Sequence, residues 1–170
     1  MKRNRGPCRK RKFHDSGAIE TRYHGCFFRS RLEARWAVFL DSVKEPWEYE
    51  FQGYSLPSGR YLPDFWLPRL RLWLEIKGPE PTRLELTLCE ELSRRTRRQV
   101  LIAWGSPKPF GSIFLFAQAA WHLNSVLVFD RTRRLAIVLT NTPHVLGPEY
   151  RPITTNHFDA ATSARFEFER

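Results

Sequence analysis

No apolar run in this 170-residue chain approaches the length of a membrane span. Its basic start has no apolar stretch behind it, so it does not read as a secretory signal. There is no GxxxxGK(S/T) phosphate loop and no GxGxxG, so neither ATP use nor a dinucleotide is indicated. No Ser/His/Asp arrangement announces itself, and no internal repeat or low-complexity segment is visible. No heptad run offers a dedicated dimer seam. Cysteine is scarce: Cys8, Cys26 and Cys89 are an odd number with no CxxC spacing. They read as free thiols in a reducing compartment. His24 and Cys26, even with Cys8 and His14, match no common zinc spacing. His122, beside Trp121 on an apolar segment, reads as a core or surface histidine.

What is present argues for one packed α/β domain. The chain is 42% hydrophobic and 14% aromatic, which argues against disorder. The formal charge is +10, but it is unevenly spread. "MKRNRGPCRKRK" carries seven basic residues (Lys2, Arg3, Arg5, Arg9, Lys10, Arg11 and Lys12) and no acid. Of the 28 basic residues, the other 21 stand against 18 acidic ones, so most of the excess is a tail. Basic tails track phosphate backbones with an affinity that falls steeply with salt.

The organisation expected is a basic flexible tail over 1–20, a core over 21–140 and a C-terminal extension over 141–170. "SRLEARWAVFLDSV" has Leu32, Trp36, Phe39 and Val43 at helical spacing. Ser30 is its N-cap with Glu33 three residues on, and Pro46 stops it. "WEYEFQGYSL" is strand-like, and Pro57-Ser58-Gly59 signals a turn. "RYLPDFWL" and "LRLWLEIKG" are the next strands. Thr82 caps a second helix with Glu85 three residues later, and Leu84, Leu88 and Leu92 form its expected buried stripe. That helix ends on a basic turn with Arg94, Arg95, Arg97 and Arg98, which suits the helix dipole and a phosphate-contacting face. "VLIAWG" is a buried strand, parallel to a neighbour by a right-handed crossover. "SIFLFAQAAWHL" is expected to be helical, "SVLVF" and "LAIVLT" a late hairpin, and "FDAATSARFEF" a short helix.

The densest chemistry lies in "YLPDFWLPRLRLWLEIKG". Alternate strand residues point to opposite faces. Leu72, Leu74 and Ile76 therefore cover one face, while Trp73, Glu75 and Lys77 emerge on the other. A hairpin turning at Pro68-Arg69 brings Asp64 near Glu75. Two close carboxylates repel and raise each other's pKa, a penalty that a divalent cation removes. Hard oxygen ligands suit Mg²⁺ or Mn²⁺. The plain alternative for Glu75 and Lys77 is an ordinary pair on a strand face. For Glu33 it is the capping box alone.

"FRSRLEARWAVFLD", "YLPDFWLP" and "WLEIKG", in that order, resemble the PD-(D/E)XK nuclease superfamily. The nearer likeness is to phage junction-resolving endonuclease I and to the endonuclease subunit of heteromeric transposases. It covers about residues 23–105. The resemblance implies a restriction-endonuclease-like core, ordered helix, three strands, helix, strand, with a mixed central sheet flanked by helices. It implies a Mg²⁺-dependent endodeoxyribonuclease in which Glu33, Asp64, Glu75 and the carbonyl of Ile76 hold metal. Lys77 would orient or deprotonate the attacking water. DNA is the implied partner, with a homodimer or a larger nucleoprotein complex as the assembly, in the cytoplasm of a bacterial or phage-infected cell. The alternative is a catalytically silent DNA-binding subunit on the same fold.

Overall fold

The computed structural model describes residues 21–108, 112–117, 120–122, 125–132, 134–139 and 150–166. The basic tail, Cys8 and His14 lie outside them. The chain opens with a hairpin, β1 (Thr21–Tyr23) and β2 (Cys26–Phe28), followed by α1 (Arg31–Ser42). Next come β3 (Glu48–Tyr49), β4 (Tyr54–Leu56), β5 (Gly59–Tyr61), β6 (Phe65–Leu67) and β7 (Leu72–Lys77). Helix α2 (Arg83–Thr96) leads to β8 (Gln99–Trp104), β9 (Ser112–Ala117) and β10 (Ala120–His122). The described chain closes with β11 (Ser125–Phe129), β12 (Leu135–Leu139), β13 (Arg151–Pro152) and α3 (Thr155–Thr162). The class is mixed α/β, as expected.

The main sheet has six strands in the order β10-β9-β8-β7-β6-β3. Strands β7 and β8 are parallel, joined through α2, and the other neighbours are antiparallel. The expected "RYLPDFWL" strand is divided. Its first half, β5, pairs only with β4 in a separate hairpin, and its second half, β6, enters the main sheet. The turn between β6 and β7 spans residues 68–71, with Arg71 at a positive φ of 56° and its amide donating to the Leu67 carbonyl.

Both faces of β7 are covered. Leu72, Leu74 and Ile76 join Phe65, Leu67, Trp36, Phe39 and Leu40 in the larger core, beneath α1. Trp73 joins Cys89, Leu92, Val100 and Ile102 beneath α2. Helix α1 is fixed at its start by the Ser30 hydroxyl, which accepts from the Glu33 amide. Helix α2 has a complete capping box between Thr82 and Glu85. Its expected stripe is corrected: Leu84 is 60% exposed, and the buried face runs through Cys89 and Leu92 with Leu86 and Leu88 beside them. Helix α3 lies on α1, where Phe158 stacks on Phe39 at 5.1 Å.

Two further expectations are corrected. "SIFLFAQAAWHL" forms the antiparallel strands β9 and β10, and not a helix. An apolar run carries no period of its own, and here β8 offers β9 a free edge with which to pair. Cys26 is disulfide-bonded, so the three cysteines are not all free thiols and give no evidence for a reducing compartment. Cys89 is free and buried. The late hairpin is present as β11 and β12. The helix expected near "FDAATSARFEF" is α3, which starts earlier and stops at Thr162. No described helix is long and apolar enough to cross a membrane.

Candidate active site

The register of β6 on β7 pairs Phe65 with Leu74, which sets Asp64 opposite Glu75. The proximity expected from the hairpin is realised: the Asp64 amide donates to Glu75 Oε2 at 3.2 Å. Asp64 Oδ2 accepts from the Ile76 amide at 2.7 Å, so the strand's own backbone grips the first acid. Asp64 is 2% exposed and Glu75 3%. Both line a cavity of about 520 Å³ whose wall also includes Glu33, Ile76 and Lys77. All the residues expected at the metal and catalytic positions thus come to one cavity.

Glu33 reaches it from the first turn of α1. One carboxylate oxygen accepts from the Ser30 hydroxyl at 2.8 Å. The other accepts from the Tyr49 hydroxyl at 2.5 Å and from the Arg29 amide at 3.2 Å. The capping bond and the cavity position therefore coexist. Lys77 Nζ sits between Glu75 Oε1 and Glu85 Oε1, 2.9 Å from each. Glu85 in this way joins the start of α2 to the end of β7.

Sequence reasoning missed Arg29, Tyr49, Glu50 and the role of Glu85. Arg29 is the main one. Its guanidinium lies 2.5 Å from Asp64 Oδ1 and 2.9 Å from Glu50 Oε1. Arg29 stands inside the quoted "FRSRLE" text, but nothing in the local pattern ties it to an acid 35 residues away. Glu50 has a left-handed backbone, with φ of 47°, and its amide donates to the Asp64 carbonyl. Only pairing of β3 with β6 brings this pair together, and a two-residue strand leaves little periodic signal.

The electrostatics follow from crowding. Burial pushes the Asp64 carboxyl well above its ordinary range, and Glu75 and Glu33 push it further. Arg29 and the Ile76 amide oppose this without cancelling it. Burial works against the charge of Lys77, but Glu75 and Glu85 outweigh it and raise its pKa. Burial likewise disfavours the Arg29 cation, and Asp64, Tyr49 and Glu33 more than compensate. Tyr49 is raised by burial and then by Glu33, which keeps it a phenol donor. Five carboxylates, from Glu33, Glu50, Asp64, Glu75 and Glu85, thus surround the two cations Arg29 and Lys77.

Among the described residues, no three His, Cys, Asp or Glu side chains converge as a ready-formed metal cage would. The donor chemistry still fits a hard divalent cation. Asp64 and Glu75 offer carboxylate oxygens in one cavity, and the excess of acids around Asp64 is a charge that such an ion would balance. Arg29 and Lys77 occupy the oxygens for which it would compete.

The α2 arginines divide. Arg94 pairs with Glu90 at 3.4 Å, an exposed contact of little weight. Arg97 is the left-handed C-cap. Arg95 and Arg98 line a second cavity, apart from Asp64 and Glu75. His24 lies 3.0 Å from Asp41 and stacks on Tyr23. Set beside protein-family models, curated proteins and solved structures, the chain finds no match in any of the three.

Proposed function

We propose that the chain is a divalent-metal-dependent DNA endonuclease with a core of the restriction-endonuclease type. The observation that carries this reading is the meeting of Asp64, Glu75, Ile76, Lys77 and Glu33 at one cavity, with Asp64 buried among other acids. An antiparallel β6–β7 hairpin followed by a helical crossover to parallel β8 supports the core assignment. Asp64 and Glu75 would hold the cation with their carboxylates and Ile76 with its carbonyl. Bound there, a hard cation neutralises charge on the scissile phosphate and makes water a better nucleophile.

The chain's own groups do the rest. Lys77, kept charged by Glu75 and Glu85, donates to a phosphate oxygen and stabilises the charge that develops there. Its raised pKa favours this role over that of a proton acceptor. Arg29 balances Asp64 when no metal is present, and 40% exposure of its side chain leaves it within reach of a phosphate at the cavity mouth. Glu33 is held at the wall by Ser30 and Tyr49, ready to accept from an ordered water.

A second reading has its own support. Arg29 and Lys77 already neutralise Asp64 and Glu75 at 2.5 and 2.9 Å, as they would in a DNA-binding subunit that has no use for metal. Nicking of supercoiled and branched DNA separates the two, using wild type and Lys77→Ala in Mg²⁺, Mn²⁺ or chelator. The expected result is metal-dependent nicking by wild type alone. DNA binding with no cleavage by wild type in either metal would hand the protein to the second reading.

A further inference from the structure

The second cavity, of about 550 Å³, opens on the α2 side of the sheet. Its size falls within the roughly 300–1,000 Å³ usual for small-ligand sites. Four aromatic residues line it: Phe51, Tyr54, Trp66 and Trp73. Trp66 and Trp73 face each other across β6 and β7 with ring centroids 4.7 Å apart. Tyr54 meets Trp73 edge-on at 5.6 Å. Phe51 is 47% exposed and its ring lies 6.3 Å from the Trp73 ring, so one face of its phenyl stays open to a ligand.

Two other features are unexplained by packing. The indole Nε1–H of Trp73, a residue only 3% exposed, is buried without an acceptor among the described residues. Arg95, from the end of α2, and Arg98, between α2 and β8, complete the wall, and neither forms an ion pair among the described residues. Arg95 is close enough to Tyr54 to oppose the upward push of burial on its hydroxyl.

Aromatic faces and two guanidinium groups are together the chemistry that recognises an unstacked nucleobase and its phosphate. The strand supplies the link to the first cavity. Trp73, Glu75 and Lys77 share one face of β7, and along α2 Glu85 at the first cavity and Arg95 at the second are ten residues apart, about 15 Å of helix. We infer that the cavity bounded by Phe51, Tyr54, Trp66, Trp73, Arg95 and Arg98 holds an unpaired nucleotide of the DNA strand whose phosphate enters the Glu75–Lys77 site. The substrate is therefore DNA with a single-stranded or frayed segment a few nucleotides from the cut. The choice of ligand rests on the endonuclease reading, but the cavity's binding property does not.

The test measures binding in chelator, so that cleavage plays no part. Full-length protein is titrated with a fluorescent twelve-nucleotide thymidine strand, an abasic strand of the same length and charge, and a matched duplex. Thymidine monophosphate serves as competitor. The base-bearing strand is expected to bind about tenfold tighter than the abasic one, in line with one stacked base. It should also quench tryptophan fluorescence. Phe51→Ala and Arg95→Gln alter exposed side chains, and melting temperatures check that both fold. Phe51→Ala should remove most of the preference for bases, while Arg95→Gln should weaken both strands and flatten the salt dependence. Equal affinity for base-bearing and abasic strands, or no effect of Phe51→Ala, overturns the inference. Complete competition by the monophosphate at matched concentration also overturns it, in favour of a free-nucleotide site. A protein that shows the base preference yet never nicks DNA would sink the endonuclease reading and leave this cavity's ligand standing.

Discussion

Two buried carboxylates in this protein live in opposite company. Glu45 is paired with Arg69, whose guanidinium also donates to the Leu135 carbonyl at 2.8 Å. Burial pushes the Glu45 carboxyl up, and every neighbour that acts on it, Arg69 and then Arg134, pushes back. Asp64 is pushed up by burial too, but Glu75 and Glu33 then add to the push. One acid, just past α1, holds the Arg69 that ties the β6–β7 turn to β12, and it is matched by bases. The other keeps one base, Arg29, but is gathered with acids that the fold alone gives no reason to collect. Like charges concentrated in a cleft are the mark of a site built for something besides stability.

The largest expected effect breaks this contrast in activity. On the proposed reading Asp64 is a charged metal ligand, so Asp64→Asn should lower metal-dependent nicking by roughly a hundredfold or more. Glu45→Gln should leave nicking by the folded fraction near wild type. Equal losses in the two variants, measured per folded molecule, would remove the distinction. In stability the order reverses. Arg69→Met strands Glu45 in the core and should cost about 3 kcal/mol in chemical denaturation. Asp64→Asn relieves the crowding of acids but sets an amide NH₂ against the Arg29 guanidinium or the Ile76 amide. The melting temperature of the metal-free protein should therefore fall by less than in Arg69→Met, and an equal drop would show Asp64 to be structural.

A smaller effect sharpens the role of the third acid. Glu33→Gln keeps the capping partnership, because glutamine also serves there. Thermal stability should hardly move, while nicking at limiting Mg²⁺ should fall and recover as Mg²⁺ is raised. A variant that matches wild type at every metal concentration returns Glu33 to capping alone. The smallest effect concerns Glu85. Burial acts to raise its pKa, but the Thr82 amide and Lys77 outweigh this and hold it below its ordinary value. Its contribution is therefore present above the unfolded pKa of about 4.3 and fades as pH falls through the lower folded value. Glu85→Gln should remove that part of the acid sensitivity, seen as a shallower loss of melting temperature below about pH 4. Parallel acid profiles for the two proteins would mean that the bonds to Thr82 and Lys77 carry no net stabilisation.

Much of this arrangement was legible in the sequence because it is local. Ser30 and Thr82 signal their helices through side-chain caps, and the alternation in "LRLWLEIK" fixes which residues of β7 share a face. Hairpin length alone brings Asp64 to Glu75. What escaped depends on tertiary contact. Arg29 and Tyr49 reach the site through strand pairings that no single segment announces. Leu84 is apolar and at helical spacing, yet the face of α2 that the sheet buries is set by Cys89 and Leu92. The β1–β2 hairpin did leave a signal. His24 and Gly25 both have positive φ, at 49° and 81°, as a tight two-residue turn between strands requires. The apolar stretch after Gly111 left none, since strand and helix bury such a run equally well.

Gly105 closes β8 at a φ of 71°, a conformation that L side chains rarely adopt. Its amide donates to the Lys77 carbonyl at 2.9 Å, and its own carbonyl accepts from the Trp36 indole at 3.0 Å. The wall of the cavity that bears Glu33 and the wall that bears Lys77 are thereby fastened through one residue. A breathing motion that lifts α1 from the sheet strains the same residue that steadies the end of β7. The two walls therefore share one anchor, and a side chain added at Gly105, strained at this φ, would loosen both at once.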